Sequence, residues 1–235
     1  MVPIIDNPAI LALYPAPPQP AEETQAAALV DQVEYVRAPL GSGPSSSGAE
    51  VRTISEVVLP AVALPVDLAA AITAARADGA GMDAEIELDV RAIAGEVQHV
   101  LGRALVEQTR RLTISGFPGS IKLPIAAPLI EIEFVRFYDT AGELQTLDPQ
   151  DYVARKGGTS AHLVPAAGRR WPDPAEREDA VEVQYRCGYG ADYTAVPPEI
   201  QSYILGRISA KHAPDGNRNE KFLSGLLAGF KVYRL

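Results

Sequence analysis

The sequence predicts an α+β fold: a small helical bundle with an inserted antiparallel β module, an extended N-terminal arm and a strand-like C-terminal tail. The hydrophobic period changes from helical to alternating near Leu105 and becomes helical again after Pro197-Pro198. Gly41–Gly48 has the composition of a flexible linker. These observations divide the chain into an extension with its linker, a helical part, the β module, C-terminal helices and a docking tail, at residues 1–50, 51–104, 105–187, 188–228 and 229–235.

The composition is that of a globular chain able to form one core, because 47% of its 235 residues are hydrophobic and 22% are charged. A net charge of −9 argues against nonspecific capture of nucleic acid. One cysteine, Cys187, excludes an internal disulfide, and three histidines leave little material for a zinc site, so we expect no metal and no cofactor. With neither a membrane-length apolar run nor a signal peptide, we expect no membrane contact and a cytoplasmic origin.

Two helices are predicted before the β module. The first begins after Asp67, which is suited to an N-cap, and ends around Ala77 to Gly79. The second can be capped by Asp83 and ends at Gly102-Arg103. The core-facing stripe of the second helix is Ile86, Val90, Ile93, Val97 and Val100.

The two ends of the chain carry opposite charge. Residues 1–50 contain six acidic residues against Arg37 alone, whereas residues 207–235 contain six basic residues against Asp215 and Glu220. A short helix is predicted near Glu22–Arg37. The role of the arm stays open between a mobile tail and a segment with its own function.

Alternating hydrophobicity marks the β module. The strand-like run Val106–Ile114 is followed by a turn and by the short strand Ile121–Pro124. The strongest strand, Ile130–Phe137, alternates and then changes face, which predicts a bulge or a strand buried on both sides. A clean alternation over Val181–Cys187 closes the module. Two turns lie between these strands, at Asp139–Gly142 and Asp148–Tyr152.

The C-terminal part is helical again. Pro197-Pro198 opens a helix, since proline is tolerated in a first turn. Pro214–Asn217 breaks this helix, Asn219–Leu227 forms a last short one, and Gly229 releases the tail. The predicted core face of the first of these helices is Ile200, Tyr203, Ile204 and Ile208.

The sequence contains only weak candidates for catalysis: no phosphate-binding loop, no paired-histidine metal motif and no nucleophile elbow. Asp148 and Asp151 stand in a proline-containing turn, where aspartates usually accept bonds from backbone donors. His162 is interpreted as an edge-strand side chain and Cys187 as a small buried hydrophobe. Arg169–Pro172 could stack on a base or a phosphate, but acidic neighbours favour a solvated loop. We therefore predict no catalytic residue.

The end of the chain is more apolar than a free terminus would be. Large apolar side chains there would be exposed to water unless they dock. Two targets are open: the protein's own helices, or a partner that takes the segment as an added strand or in a groove, with its two basic residues meeting acidic groups. The candidate docking residues are Phe230, Lys231, Val232, Tyr233, Arg234 and Leu235.

Several short segments, each weakly specific alone, occur in an order that is specific as a set. They are Pro65–Leu68, Leu101–Thr109, Ile121–Pro124, Pro128-Leu129, Tyr138–Gly142, Leu147–Tyr152, Trp171-Pro172, Val183–Gly190, Val196–Ile200 and Leu226–Leu235. This set resembles the head-to-tail connector (adaptor, or head completion) family of long-tailed double-stranded DNA phages and related gene transfer agents. The resemblance covers about residues 60–235; residues 1–50 are longer than the family's usual start.

The resemblance implies a virion structural protein and not an enzyme. Such adaptors form a ring, typically twelve-fold, that binds the portal protein, extends the DNA channel and presents the attachment site for the next tail component, a stopper or a tail terminator. It also implies that Phe230–Leu235 contact the portal, and that the protein is made in a bacterial host cytoplasm and resides at the head–tail interface. Packaged DNA would pass without sequence-specific binding.

The net charge suggests a property of the DNA channel, and two other classes of protein remain as alternatives. A negative channel lining would repel DNA phosphates and let the genome slide, so the net charge of −9 suggests that acidic residues line the lumen. The first alternative is another head or tail component, such as a capsid-stabilising or tail-terminator protein. The second is a carbohydrate-binding or hydrolytic β module, which would need converging carboxylates or aromatic residues.

Overall fold

The computed structural model describes residues 35–36, 52–77, 81–157, 160–213 and 220–230. It contains the mixed helices and antiparallel strands of an α+β fold, which confirms the predicted fold class. The strands are β1 (Tyr35–Val36), β2 (Thr53–Leu59), β3 (Gln108–Ile114), β4 (Ile121–Leu123), β5 (Leu129–Tyr138), β6 (Leu144–Leu147), β7 (Tyr152–Lys156), β8 (Ala161–Pro165) and β9 (Val181–Cys187). The helices are α1 (Leu68–Ala75), α2 (Asp83–Leu101), α3 (Pro198–His212) and α4 (Glu220–Leu226).

The strands form two sheets. A six-stranded sheet has the order β1-β6-β5-β9-β3-β2, and a three-stranded sheet has the order β4-β8-β7. All pairings are antiparallel except that of β1 with β6, which is parallel. The register of β5 against β9 shifts twice, between Leu129 and Glu131 and between Ile132 and Phe134, which agrees with a bulge, the first of the two predicted alternatives.

The core of the β part follows the period of two. In β9 every second residue is buried, from Val181 to Cys187, and Leu112 and Ile114 of β3 lie on the same side. These side chains pack with Val135 and Phe137 of β5 and with Leu163 of β8. Since β8 is the central strand of the three-stranded sheet, the prediction that His162 lies on an edge strand is wrong. The sequence showed the strand but not its neighbours on either side.

The helices form a second core, in which α1, α2 and α3 pack together. The stripe predicted on α2 is buried from Ile86 to Val97, but Val100 is exposed and Leu101 takes the inner position. The αL conformation of Gly102 ends α2 where predicted. Asp67 stands at the N-cap of α1 without a side-chain bond, and Met82, not Asp83, is the N-cap of α2.

Predictions for several segments fall on residues that the structure does not describe: most of the helix expected near Glu22–Arg37, the break at Pro214–Asn217 and the tail beyond Phe230. Within the first of these, Tyr35–Val36 form β1 instead of a helix. Another strand, β2, lies in the part assigned to helices and pairs with β3. The six-stranded sheet therefore takes both of its outermost strands from the chain before the β module.

Candidate interaction surfaces

The root of the C-terminal tail packs on the protein's own helices. Leu223 of α4 and Leu227 after it are buried, and Phe230 is half-buried against the helical core. A Cβ built on Gly206 of α3 would overlap the end of the Leu223 side chain, so a larger residue at 206 would require Leu223 to move. This packing fixes the point from which the rest of the tail departs.

Arg103 lies beneath the tail root. Its Cζ is 5.9 Å from the centre of the Phe230 ring, within the range of a cation–π contact, and its Nη1 donates to the Tyr189 hydroxyl at 3.4 Å. Arg103 is buried, and no described carboxylate forms an ion pair with it. The Phe230 ring and the neutral Tyr189 hydroxyl thus both contact the buried Arg103 cation.

Of the six candidate docking residues, the structure describes only Phe230, which contacts the protein's own helices. The remaining five, Lys231 to Leu235, lie outside the described residues. For Phe230 the contact agrees with docking on the protein's own helices, one of the two predicted targets. Docking of the following residues on a partner stays a prediction.

A second surface is the outer edge of the large sheet, formed by β2 and the residues after it. No described strand pairs with β2 on the side away from β3. Six of the seven residues of β2 are exposed. The exposed fractions of its apolar residues are 64% for Ile54, 45% for Val57 and 62% for Leu59, and Val62 beyond the strand is 90% exposed. An unpaired strand with exposed aliphatic residues favours association with another chain.

A third surface is the solvent-facing side of the large sheet, where charges of both signs pair across strands. Arg186 of β9 contacts Glu107 at 3.0 Å and Glu131 of β5 at 2.8 Å. Arg111 of β3 donates to Gln184 Oε1 at 2.9 Å and 3.2 Å. Arg111 also lies 3.8 Å from Glu56 of β2. Because Arg186 and Arg111 each have a carboxylate close by, these two arginines do not offer unpaired positive charge to DNA phosphates.

Between α2 and α3, Asp89 is held by Lys211 and His212. It is buried, forms a salt bridge with Lys211 and lies 3.0 Å from His212 Nε2. Burial on its own would raise the pKa of Asp89, but the hydrogen bonds from Lys211 and His212 outweigh it and lower the pKa below the usual 3.8. Glu96 and Arg207 form a second, more exposed pair between the same helices, at 3.0 Å.

Cys187 and Tyr185 are buried in the sheet core and are not reactive groups. Burial raises the pKa of the Cys187 thiol to about 12, and burial also raises the pKa of the Tyr185 hydroxyl to about 12. The Tyr185 hydroxyl donates to the Pro124 carbonyl at 2.5 Å. Since the thiolate is the nucleophilic form, the structural role predicted for Cys187 agrees with its surroundings.

The weak catalytic candidates have structural roles. Asp148 accepts a bond from the Gln150 backbone amide at 2.8 Å, as the turn interpretation predicted. Asp151 forms a salt bridge with the Arg169 side chain at 3.2 Å. Trp171 stacks on Phe117 with ring centroids 4.9 Å apart and packs against the core, so this ring is not available to a base.

Within the described ranges, no group of three histidine, cysteine or acidic residues could hold a metal ion. In the same part of the chain, no helix is both long and apolar enough to cross a membrane.

The fold of this chain is also found in chains of assembled particles. No protein-family model matches the chain, and no curated protein matches it in sequence. Three solved structures share the fold and confirm, at that level, the resemblance seen in the sequence.

Two of the three solved structures come from native gene transfer agent (GTA) particles and one from an empty particle. A chain of the native virion aligns with a TM-score of 0.65 at 22% identity, over 77% of this chain and 97% of that chain. A chain in the neck of an empty particle, computed with C6 symmetry, aligns with a TM-score of 0.64 at 17% identity, over 77% of this chain and 97% of that chain. A chain in the neck of a native particle, computed with C12 symmetry, aligns with a TM-score of 0.58 at 18% identity, over 78% of this chain and 97% of that chain.

Sequence reasoning missed the β2 surface. Thr53–Leu59 contains threonine, isoleucine and two consecutive valines, which favour strands, but the two apolar helices that follow dominated the assignment. Its exposed aliphatic residues become informative only once β2 is known to be the outermost strand.

Proposed function

We propose that this chain is a head–tail connector, or adaptor, of a phage or gene transfer agent particle: a structural protein of the virion with no catalytic role. The observation that carries the proposal is the fold, which is shared with 97% of a chain in the neck of a GTA particle. The order of sequence motifs over residues 60–235 supports the same assignment independently. The protein is made in the bacterial host cytoplasm and resides at the head–tail interface.

The adaptor forms a ring of twelve copies around the DNA channel. One neck with this fold was computed with C12 symmetry and another with C6 symmetry, and a twelve-fold ring satisfies both because it contains six-fold symmetry. A cyclic ring needs two different, complementary faces on each subunit. The exposed apolar strand β2 supports such an interface on one side of the subunit.

The ring binds the portal on one side and the next tail component, a stopper or tail terminator, on the other. Phe230, Lys231, Val232, Tyr233, Arg234 and Leu235 make the portal contact. The packing of Phe230 next to Arg103 supports this arrangement, since it holds the root of the segment on a rigid helical core. Holding the root reduces the conformational entropy that the following residues lose on binding.

Co-sedimentation with portal rings from the same genome tests the proposal. Three forms are compared: the full chain, a chain ending at Phe230 and a chain ending at Gly229. We expect the full chain to bind and both shortened forms to lose most of the binding. If only the form ending at Gly229 loses it, Phe230 is the anchor rather than the residues that follow.

Single substitutions provide a matched control. Phe222 is an exposed phenylalanine on α4 close to the tail root, and Tyr233 is an aromatic residue of the proposed contact. Tyr233→Ala should weaken portal binding at least tenfold, whereas Phe222→Ala should leave it unchanged. If both shortened forms still bind portal rings, the adaptor assignment stands, but the portal contact is made by residues other than Phe230–Leu235. No binding by any form would favour a capsid-stabilising or tail-terminator role.

A further inference from the structure

The two edges of the six-stranded sheet differ in a way that bears on how copies of this chain meet. One edge is β2, seven residues long, with no strand on its outer side among the described residues. At the opposite edge, β6 is paired on its outer side with the two-residue parallel strand β1, Tyr35–Val36. The edge with exposed aliphatic residues is therefore open, and the edge opposite it is closed by the chain's own arm.

The arm and β2 are consecutive along the chain although they lie on opposite edges. Residues 37–52 join Val36 to Thr53 and include Gly41–Gly48, with four serines, three glycines and a proline. Five spacings of about 4.8 Å separate the outermost strands, which makes a sheet about 24 Å wide. At about 3.3 Å per residue the connection can span roughly 50 Å. It is therefore long enough for β1 to pair with β6 of its own subunit or with β6 of a neighbouring subunit.

In a ring, β2 of one subunit and β6 of the next are suitable opposing edges. A heterologous interface needs two different faces, and the two edges of one sheet satisfy this requirement. When β2 of one copy lies beside β6 of the next, the end of the arm that leads into β2 is close to β6 of that next copy. The arm then has a shorter path to the neighbour's β6 than to β6 of its own subunit, which lies across the sheet.

We propose that each subunit of the ring donates its arm to the neighbouring subunit, so that Tyr35–Val36 pair with β6 of the next copy and the interface covers β2. This rests on the ring proposed above. The exchanged strand keeps its pairing with Thr146 and Leu147. Exchange of an identical element therefore costs little free energy. Burial of Ile54, Leu59 and Val62 in the interface favours the exchanged arrangement.

Disulfide trapping distinguishes exchange from self-pairing. Tyr35 and Thr146 are Cα partners, and Thr146 is preferable to Leu147, which belongs to the core. The double variant Tyr35→Cys/Thr146→Cys is assembled with portal rings, oxidised, and separated on a denaturing gel without reductant. Exchange yields a ladder of covalently linked subunits, and self-pairing yields only single chains. The native Cys187 is buried and does not interfere.

A mixture of the two single variants gives a second measurement. Tyr35→Cys mixed with Thr146→Cys can form a covalent dimer only if the arm crosses between copies. The control pair, Tyr138→Cys/Leu144→Cys, joins Cα partners in the hairpin of β5 and β6 and should give single chains in every case. A ladder and mixed dimers support the proposal, and single chains in an assembled ring overturn it.

A charged substitution on β2 tests whether this strand takes part in the interface. Leu59→Glu places a carboxylate at an exposed site, so the fold should persist by circular dichroism while ring assembly, measured as particle mass, falls at least tenfold. Val153→Glu, at a 47% exposed site on β7, should assemble normally. Normal rings from Leu59→Glu would overturn the role of β2. Failure of the unmodified chain to form any ring would overturn the proposed function, and this inference with it.

Discussion

Gly188 links the last strand of the sheet to the helical part in a conformation that only glycine adopts readily. Its φ is +136°, and a Cβ built there would lie 2.6 Å from backbone atoms of Val106 and Glu107. The Gly188 amide also donates to the Pro128 carbonyl at 2.9 Å. Backbone strain and steric overlap therefore act together at this residue.

We expect Gly188→Ala to lower the free energy of unfolding by about 2 kcal/mol or more, measured by urea denaturation. Gly95 is the matched control, because it lies within α2 and a Cβ there meets nothing within 4 Å. Gly95→Ala should raise the free energy of unfolding by about 0.5–1 kcal/mol. Equal stability of the two variants would contradict this account of Gly188.

Cys187 is the one cysteine of the chain and has no exposed surface, so its reactivity reports unfolding. We expect a thiol reagent to label the native protein far more slowly than the urea-unfolded protein. In a Cys187→Ala background, Val153→Cys supplies an exposed thiol that should react at once in the native state. Rapid native labelling of Cys187 would show that the sheet core opens easily.

The same burial predicts a loss of stability in alkali. The thiol pKa rises from 9.0 to about 12 on folding and that of Tyr185 from 10.0 to about 12. The unfolded chain therefore loses these protons first, and the free energy of unfolding should fall as pH rises from about 9 to 12. Cys187→Ala should make this fall shallower in urea titrations; an unchanged slope would exclude the thiol as a cause.

At the scale of elements, the α2–α3 contact depends on a buried carboxylate. We expect Asp89→Asn to lower the free energy of unfolding at neutral pH by about 1–3 kcal/mol, because charged hydrogen bonds from Lys211 and His212 are weakened. The folded pKa of Asp89 is depressed, so its stabilisation is present above the unfolded pKa and is lost as pH falls through the folded value.

Urea titrations over a range of pH check this. The difference between wild type and Asp89→Asn should be constant at neutral pH and shrink below about pH 3.8. Glu96→Gln is the control at the same helix pair, where both side chains are more exposed, and should cost less than about 1 kcal/mol. A difference that persists unchanged in acid would argue against ionised Asp89 as the cause.

Most elements with a strong period were predictable from the sequence. The core stripe of α2, the alternation of β9 and the proline start of α3 each depend on local spacing alone. The strands β1 and β2 were not predicted, since two residues carry no period and a strand with six of seven residues exposed shows no buried face. The neighbours of a strand depend on topology, which is why His162 was placed on an edge.

At the scale of the whole molecule, net charge governs contact with DNA. The chain carries −9, and on the solvent-facing side of the large sheet Arg186 and Arg111 each lie close to a carboxylate. We expect no binding to double-stranded DNA in a mobility-shift assay at physiological salt, for single copies and for assembled rings. A salt-sensitive shift would refute the hypothesis that acidic residues line the lumen.

The sequence by itself determined the α+β class, the helices of the core, the structural role of Cys187 and the ordered motifs that resemble those of the connector family. These depend on local periodicity, turn chemistry and composition, which need no knowledge of distant contacts. Only the tertiary structure decided that β2 is an apolar edge without a further strand among the described residues, that Phe230 packs beside Arg103, and that β1 pairs along the opposite edge. Each of these joins residues far apart in the chain, and strand order and burial arise only when the whole chain has folded.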